Sequence, residues 1–104
     1  YDTGHAVCMT TPSGGELLIH AGIDTVKMEG RGFTKCVADG DYVHAGDVLL
    51  KMDLDAIRKE GYETTTMMIL TNADDYDVEK VSADHVSCGE KMMVLHKKYE
   101  EIEI

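Results

Sequence analysis

The segment His5-Ala6-Val7-Cys8-Met9-Thr10-Thr11-Pro12-Ser13-Gly14-Gly15-Glu16-Leu17-Leu18-Ile19-His20-Ala21-Gly22 decides how the chain folds. Its centre, Thr11 to Gly15, is dense in turn chemistry, because Pro presets φ and Gly admits positive φ. The flanking runs are short and largely apolar, as strands of a packed core are. Together they read as a β-hairpin. A four-residue loop from Thr11 to Gly14 sets His5 opposite His20, and a two-residue loop at Ser13-Gly14 makes them diagonal neighbours. In both cases the two share a face, with Cβ atoms roughly 4.5–8 Å apart. An odd loop would put them on opposite faces. The even loop is the expectation, and it places Tyr1, Thr3 and His5 of one strand on the same side as Leu18 and His20 of the next.

Outward from the hairpin the pattern stays mostly β. Gly30-Arg31-Gly32 breaks the chain, and Phe33 to Val37 reads as a strand. Asp39-Gly40-Asp41 and Ala45-Gly46-Asp47 repeat at a spacing of six, each leading into Val or Leu, as turn and short strand. Asp53 is placed to cap a helix over Leu54-Asp55-Ala56-Ile57-Arg58-Lys59-Glu60, and Gly61 to stop it, with Leu54 and Ile57 on one face. Thr64 to Thr71 is β-branched and apolar, and Asn72 to Asp75 is a turn. Val78 to Val81, His85 to Cys88 and Lys91 to His96 read as short strands. The acidic end beyond Lys98 is expected to fray. No linker divides the chain, so the expectation is one all-β domain over 1–104 with one short helix.

Composition narrows the function. The 104 residues carry 20 acidic and 10 basic side chains, a net charge of −10. That balance excludes a general nucleic-acid or anionic-membrane binder, whose attraction needs Lys and Arg. It suits a small-molecule site or a basic protein partner. The apolar runs, such as Met92-Met93-Val94-Leu95, are too short to cross a bilayer. Cys8, Cys36 and Cys88 form no C-x-x-C pair and are expected to be reduced, partly buried thiols. The seven methionines read as adaptable core filler. The chain starts at Tyr1 with neither Met nor a signal-like segment, and is expected to be a fragment, a processed chain or an excised domain.

Two adjacent imidazoles suit two chemistries. One is metal binding, with a carboxylate such as Asp24 beside them, although no third ligand stands at a recognisable spacing. The other is phosphoryl transfer, with one ring nitrogen as nucleophile and the second imidazole donating to the phosphoryl oxygens. Two cations side by side repel, which favours at least one neutral ring near neutral pH. His44, His85 and His96 receive no role.

The run Glu16-Leu17-Leu18-Ile19-His20-Ala21-Gly22-Ile23-Asp24-Thr25-Val26 resembles the signature of the glucose-type IIA domain of the bacterial phosphoenolpyruvate-dependent sugar phosphotransferase system. Thr3-Gly4-His5-Ala6 upstream is similar to the family's T-x-H-A. Gly30-Arg31-Gly32-Phe33, Gly40-Asp41, Gly46-Asp47, Asp53-Leu54-Asp55, Thr71-Asn72 and Gly89-Glu90 follow in family order. The chain departs from the family at Thr66-Met67-Met68, where a Pro is usual, and at Ala21, where larger side chains are usual nearby. The resemblance implies an antiparallel sandwich related to a barrel-sandwich hybrid, here the C-terminal two-thirds or so of the family domain without its N-terminal strands. It implies that His20 accepts a phosphoryl group from the phosphocarrier protein HPr and passes it to a IIB domain. His5 would hydrogen-bond the phosphoryl group and Thr3 would orient His5. Asp24 would meet an arginine of the carrier, and Tyr1, Leu18 and Val26 would belong to the apolar docking surface. No cofactor and no metal are implied. The location implied is cytoplasmic, free-standing or as part of a membrane-bound permease. Two further expectations are a regulatory module that binds target proteins through the same face, and pairing of two copies through open sheet edges.

Overall fold

The computed structural model describes residues 2–81 and 84–98. Its strands are β1 (Ala6–Thr10), β2 (Glu16–Ile23), β3 (Phe33–Lys35), β4 (Leu50–Met52), β5 (Glu63–Leu70), β6 (Tyr76–Lys80) and β7 (Met93–Lys97). The helix α1 (Leu54–Lys59) lies between β4 and β5, and short 3-10 turns occupy Thr25–Met28 and Ala73–Asp75. Among the described residues the strands form three antiparallel sheets, ordered β1-β2-β5, β3-β4 and β6-β7, and none closes into a barrel. The expectation of antiparallel β structure with one short helix therefore holds.

β2 is the central strand of its sheet, and Leu17 to His20 are half-buried on both faces, in keeping with a continuous apolar run instead of a clean alternation. Its partner β5 carries Thr64, Thr65, Thr66 and Ile69, whose branched Cβ atoms suit a pleated surface. The hairpin register differs from the expected one. Ala6 faces His20, Cys8 faces Leu18 and Thr10 faces Glu16, so the connection is the odd, five-residue loop Thr11 to Gly15. The loop closes on itself through Thr11 N–H to Gly15 O (2.8 Å), Gly14 N–H to Thr11 O (2.9 Å) and Gly15 N–H to Thr11 Oγ1 (2.9 Å). Distant residues then hold it. Asn72 donates to the Gly14 carbonyl (2.9 Å) and accepts from the Glu16 N–H (2.9 Å), and the Tyr76 hydroxyl donates to the Ser13 carbonyl (2.8 Å). Asn72→Ala removes two of these bonds and is expected to cost about 1–2 kcal/mol of stability, readable as a lower urea midpoint with an unchanged slope. An unmoved midpoint would show that Asn72 does not hold the turn.

The helix forms as its caps dictate. Asp53 accepts from the Ala56 N–H (3.1 Å), and Gly61, at φ +87°, carries the chain away from it. Ile57 is fully buried, whereas Leu54 on the same face is 43% exposed. Ile57 packs with Met28 and Ala56 around Gly32, so the helix seals the underside of the Thr25–Met28 turn.

Other expectations need correction. The two Gly-Asp repeats fold as matching turns, in which the carboxylates of Asp41 and Asp47 accept from the N–H groups of Ala38 and His44 (both 2.8 Å). The segments after these turns are not strands until Leu50, and Tyr42 and Val48 are exposed. His85 to Cys88 is also irregular. A short β-prone run becomes a strand only where a neighbouring edge accepts its hydrogen bonds. All three cysteines are free and exposed, not partly buried. Of the methionines, Met28 is fully buried, while Met67 and Met92 are exposed. No helix among the described residues is long and apolar enough to cross a membrane.

Candidate functional site

The site lies where the β1–β2 ladder ends. The last regular pair is Ala6 with His20, and His5 precedes β1. Beyond it the chain bends through Gly4 at φ +70°, and β2 is irregular between Ala21 and Ile23. The Ala21 N–H still donates to the His5 carbonyl (2.8 Å), so by alternation alone His5 and His20 would face opposite sides. The even loop expected from the turn residues is absent, and with it the shared strand face. The two rings nonetheless meet, edge to face, with centroids 4.9 Å apart and planes at 77°. Strict alternation governs only a regular ladder, and this one stops between the two residues.

Each ring is held by a neighbour close by in the chain. The Thr3 hydroxyl and His5 Nδ1 share a short hydrogen bond. His20 Nδ1 lies 2.8 Å from the Gly22 carbonyl. A carbonyl oxygen only accepts, so His20 Nδ1 carries the hydrogen, and the neutral ring keeps its lone pair on Nε2. Gly22 reaches this position at φ +80°, a region where a side chain is strained. A Cβ there would also come within 2.9 Å of the Glu63 carbonyl.

The environments differ. His5 is buried, at 5% exposure, and His20 is half-buried. Burial, and then the neighbouring His20, push the His5 imidazole below its ordinary pKa. Its unfolded-state value is near 6.5, so the unfolded chain binds this proton first as the pH falls. The stability held by neutral His5 is complete above about 6.5 and is lost below it, toward the lowered folded value. Urea midpoints measured from pH 7.5 down to 5.5 are expected to fall less steeply in His5→Gln than in the unaltered chain. Parallel profiles would remove His5 as the cause.

Asp2, Thr3, His5, His20 and Val26 line an open concavity of about 470 Å³. A larger groove of about 770 Å³ runs beside the outer edge of β1 and holds neither histidine. Val26 is 48% exposed at the rim of the concavity. Asp24 is exposed and takes the left-handed conformation, φ 61°, just before the 3-10 turn. Leu18 is half-buried on the His20 side of β2, opposite Cys8 on one strand and Ile69 on the other. Met67, facing His20 across β5, and Ile69 are both exposed and extend that apolar surface. Tyr1 lies outside the described residues.

Sequence reading missed the Gly22 carbonyl and Met67. The first is a backbone group, which no residue type announces. The second depends on which residue of β5 falls opposite His20. Among the described residues no three or more His, Cys, Asp or Glu side chains stand close enough to hold a metal ion. His44 and His96 lie instead beside Asp47 (3.9 Å) and Glu79 (3.1 Å) on exposed surface.

Comparison with known proteins agrees with this architecture. The family model described as the phosphoenolpyruvate-dependent sugar phosphotransferase system, EIIA 1, matches residues 1–76. The glucose-specific EIIA component of Halalkalibacterium halodurans is 43% identical over 98 residues, 93% of this chain and 57% of that protein. The glucose-specific EIICBA component of Streptococcus pneumoniae is 50% identical over 74 residues, 71% of this chain and 10% of that protein. The solved structure of glucose permease IIA from Mycoplasma capricolum superposes with a TM-score of 0.81 at 34% identity, covering 89% of this chain and 60% of that one. The chain thus spans less than two thirds of the length of these relatives. With the family matched over residues 1–76 and the solved relative sharing the fold, the chain belongs to the glucose-type EIIA family of the sugar phosphotransferase system.

Proposed function

We infer that this chain is a phosphoryl carrier, in which His20 Nε2 accepts a phosphoryl group from phospho-HPr and yields it to a IIB domain during sugar uptake. The observation that carries the reading is the His20 Nδ1–H bond to the Gly22 carbonyl beside a second, buried imidazole. That bond leaves the Nε2 lone pair as nucleophile. In the first step the lone pair attacks phosphorus, the new P–Nε2 bond forms, and the P–N bond to the donor imidazole breaks with its electron pair returning to the donor. The His20 ring gains positive charge while Nδ1 keeps its hydrogen. The Gly22 carbonyl therefore binds the phosphorylated ring more strongly than the neutral one. In the second step a thiolate on the IIB domain attacks the same phosphorus, and the imidazole leaves neutral.

His5 is suited to the phosphoryl oxygens. Burial keeps it neutral near pH 7, and with the Thr3 hydroxyl donating to Nδ1 its own hydrogen sits on Nε2. Val26 and Leu18 supply apolar contact to a partner, and Asp24 an exposed carboxylate for a basic one. The net charge of −10 favours encounter with a positively charged carrier face. Relatives named as EIIBCA and EIICBA components support IIB as the recipient.

The direct test is incubation with phospho-HPr followed by mass spectrometry. One phosphoryl group per chain, labile to acid and stable to alkali, is expected of a phosphohistidine. No incorporation, or an acid-stable ester, would overturn the assignment.

A further inference from the structure

Thr25 is fully buried although it carries a hydroxyl. That hydroxyl donates to the Ala21 carbonyl at 2.5 Å. Ala21 is 1% exposed, and its own N–H donates to the His5 carbonyl. Ala21 is thus tied through its N–H to His5 and through its carbonyl, which is part of the Ala21–Gly22 peptide, to Thr25. The next carbonyl along, that of Gly22, receives His20 Nδ1–H. The Thr25 methyl group occupies the space that a Cβ on Gly22 would need. Asp24, at φ 61°, and Glu29, at φ 54°, flank the Thr25–Met28 turn in a conformation that non-glycine residues seldom adopt. Such backbone persists only where its surroundings over-determine it, and here Thr25 and Met28, both fully buried, anchor the turn.

We propose that Thr25 is a positioning residue for His20, holding the Gly22 carbonyl where it selects the Nδ1–H tautomer and leaves Nε2 nucleophilic. Thr25 lies under the site and does not line the concavity. Its effect passes from the hydroxyl through the Ala21–Gly22 backbone to the ring. Only the catalytic consequence rests on the phosphoryl-carrier reading, because the tautomer is a property of the unphosphorylated chain. In free imidazole side chains the Nε2–H form predominates, so a loosened Gly22 carbonyl lets His20 drift toward it.

The test is ¹⁵N NMR of the His20 ring, at a pH where the ring is neutral, in the unaltered chain, Thr25→Ser and Thr25→Val. The unaltered chain and Thr25→Ser, which both keep the hydroxyl, are expected to show Nδ1–H with Nε2 unprotonated. Thr25→Val keeps the shape but loses the donor, and its ring shifts should move toward a mixture with a substantial Nε2–H population. An unmoved tautomer in a folded Thr25→Val chain would overturn the proposal, as would loss of the tautomer in Thr25→Ser. Should the valine chain fail to fold, Thr25→Cys, a weak donor that like serine lacks the methyl group, is expected to give an intermediate mixture, and an unchanged tautomer there is equally fatal. With phospho-HPr, Thr25→Val should load several-fold more slowly at saturating donor with an unchanged KM, since no contact to the carrier is lost. If the tautomer responds while even the unaltered chain takes no phosphoryl group, the function fails and the positioning role stands. If the unaltered chain loads normally while the variant's tautomer does not move, the function stands and the positioning role fails.

Discussion

His20→Gln is expected to abolish phosphate incorporation from phospho-HPr, where the unaltered chain takes up one phosphoryl group. Glutamine preserves much of the side chain's reach, but its amide nitrogen stands where Nε2 was, one atom beyond Nδ1, so the bond to the Gly22 carbonyl is lost. Glutamine has no nitrogen lone pair to attack phosphorus, because the amide nitrogen is conjugated with its carbonyl. The effect is therefore a complete loss of labelling in a folded chain, not a graded decline. Labelling of His20→Gln at the unaltered stoichiometry would move the acceptor elsewhere, and His5, whose ring centroid is 4.9 Å away, would be the first place to look.

The second large effect falls on a separate step. His5→Gln should still be loaded by phospho-HPr but should pass its phosphoryl group to a IIB domain about 100-fold or more slowly, the usual consequence of removing one preorganised donor from a transferring centre. The reason lies in how the ring is held. Thr3 grips Nδ1, burial keeps the ring neutral, and the edge-to-face packing on His20 sets its distance from the reacting nitrogen. A glutamine amide has donors but neither the Thr3 lock nor the rigid ring. Loading and discharge are read in two assays, the first with phospho-HPr alone and the second with the isolated phosphorylated chain and a IIB domain. Discharge at the unaltered rate would remove His5 from the mechanism and leave it a packing residue.

Much of this was legible because it is local. Asp53 and Gly61 bracket α1 through bonds and dihedral preferences that reach only a few residues. The turn at Thr11 to Gly15, the apolar run of β2 and the pairing of the flanking strands follow from short-range composition. The run from Glu16 to Val26, with Thr3-Gly4-His5-Ala6 before it, pointed to the family and to its histidine pair. Failures came where a partner was needed. His85 to Cys88 and the residues around Tyr42 and Val48 have β-prone side chains but no strand assignment, and periodicity does not supply a neighbouring edge. Leu54 shares a helical face with Ile57 yet stays open, because only the Ile57 end of that face meets Met28 and Gly32.

By itself the sequence determined the acidic balance, the hairpin, the capped helix and which histidines to consider, since each rests on residue identity and near neighbours. The tertiary structure alone decided the register and the chemistry of the site. Asn72 and Tyr76, far along the chain, grip the hairpin turn in its odd form. The end of the ladder frees His5 to meet His20 against the alternation rule. The backbone irregularity after Ala21 aims the Gly22 carbonyl at Nδ1. Which nitrogen of His20 keeps its lone pair depends on that hydrogen bond, and its geometry exists only once β1, β2, β5 and the buried Thr25 have come together.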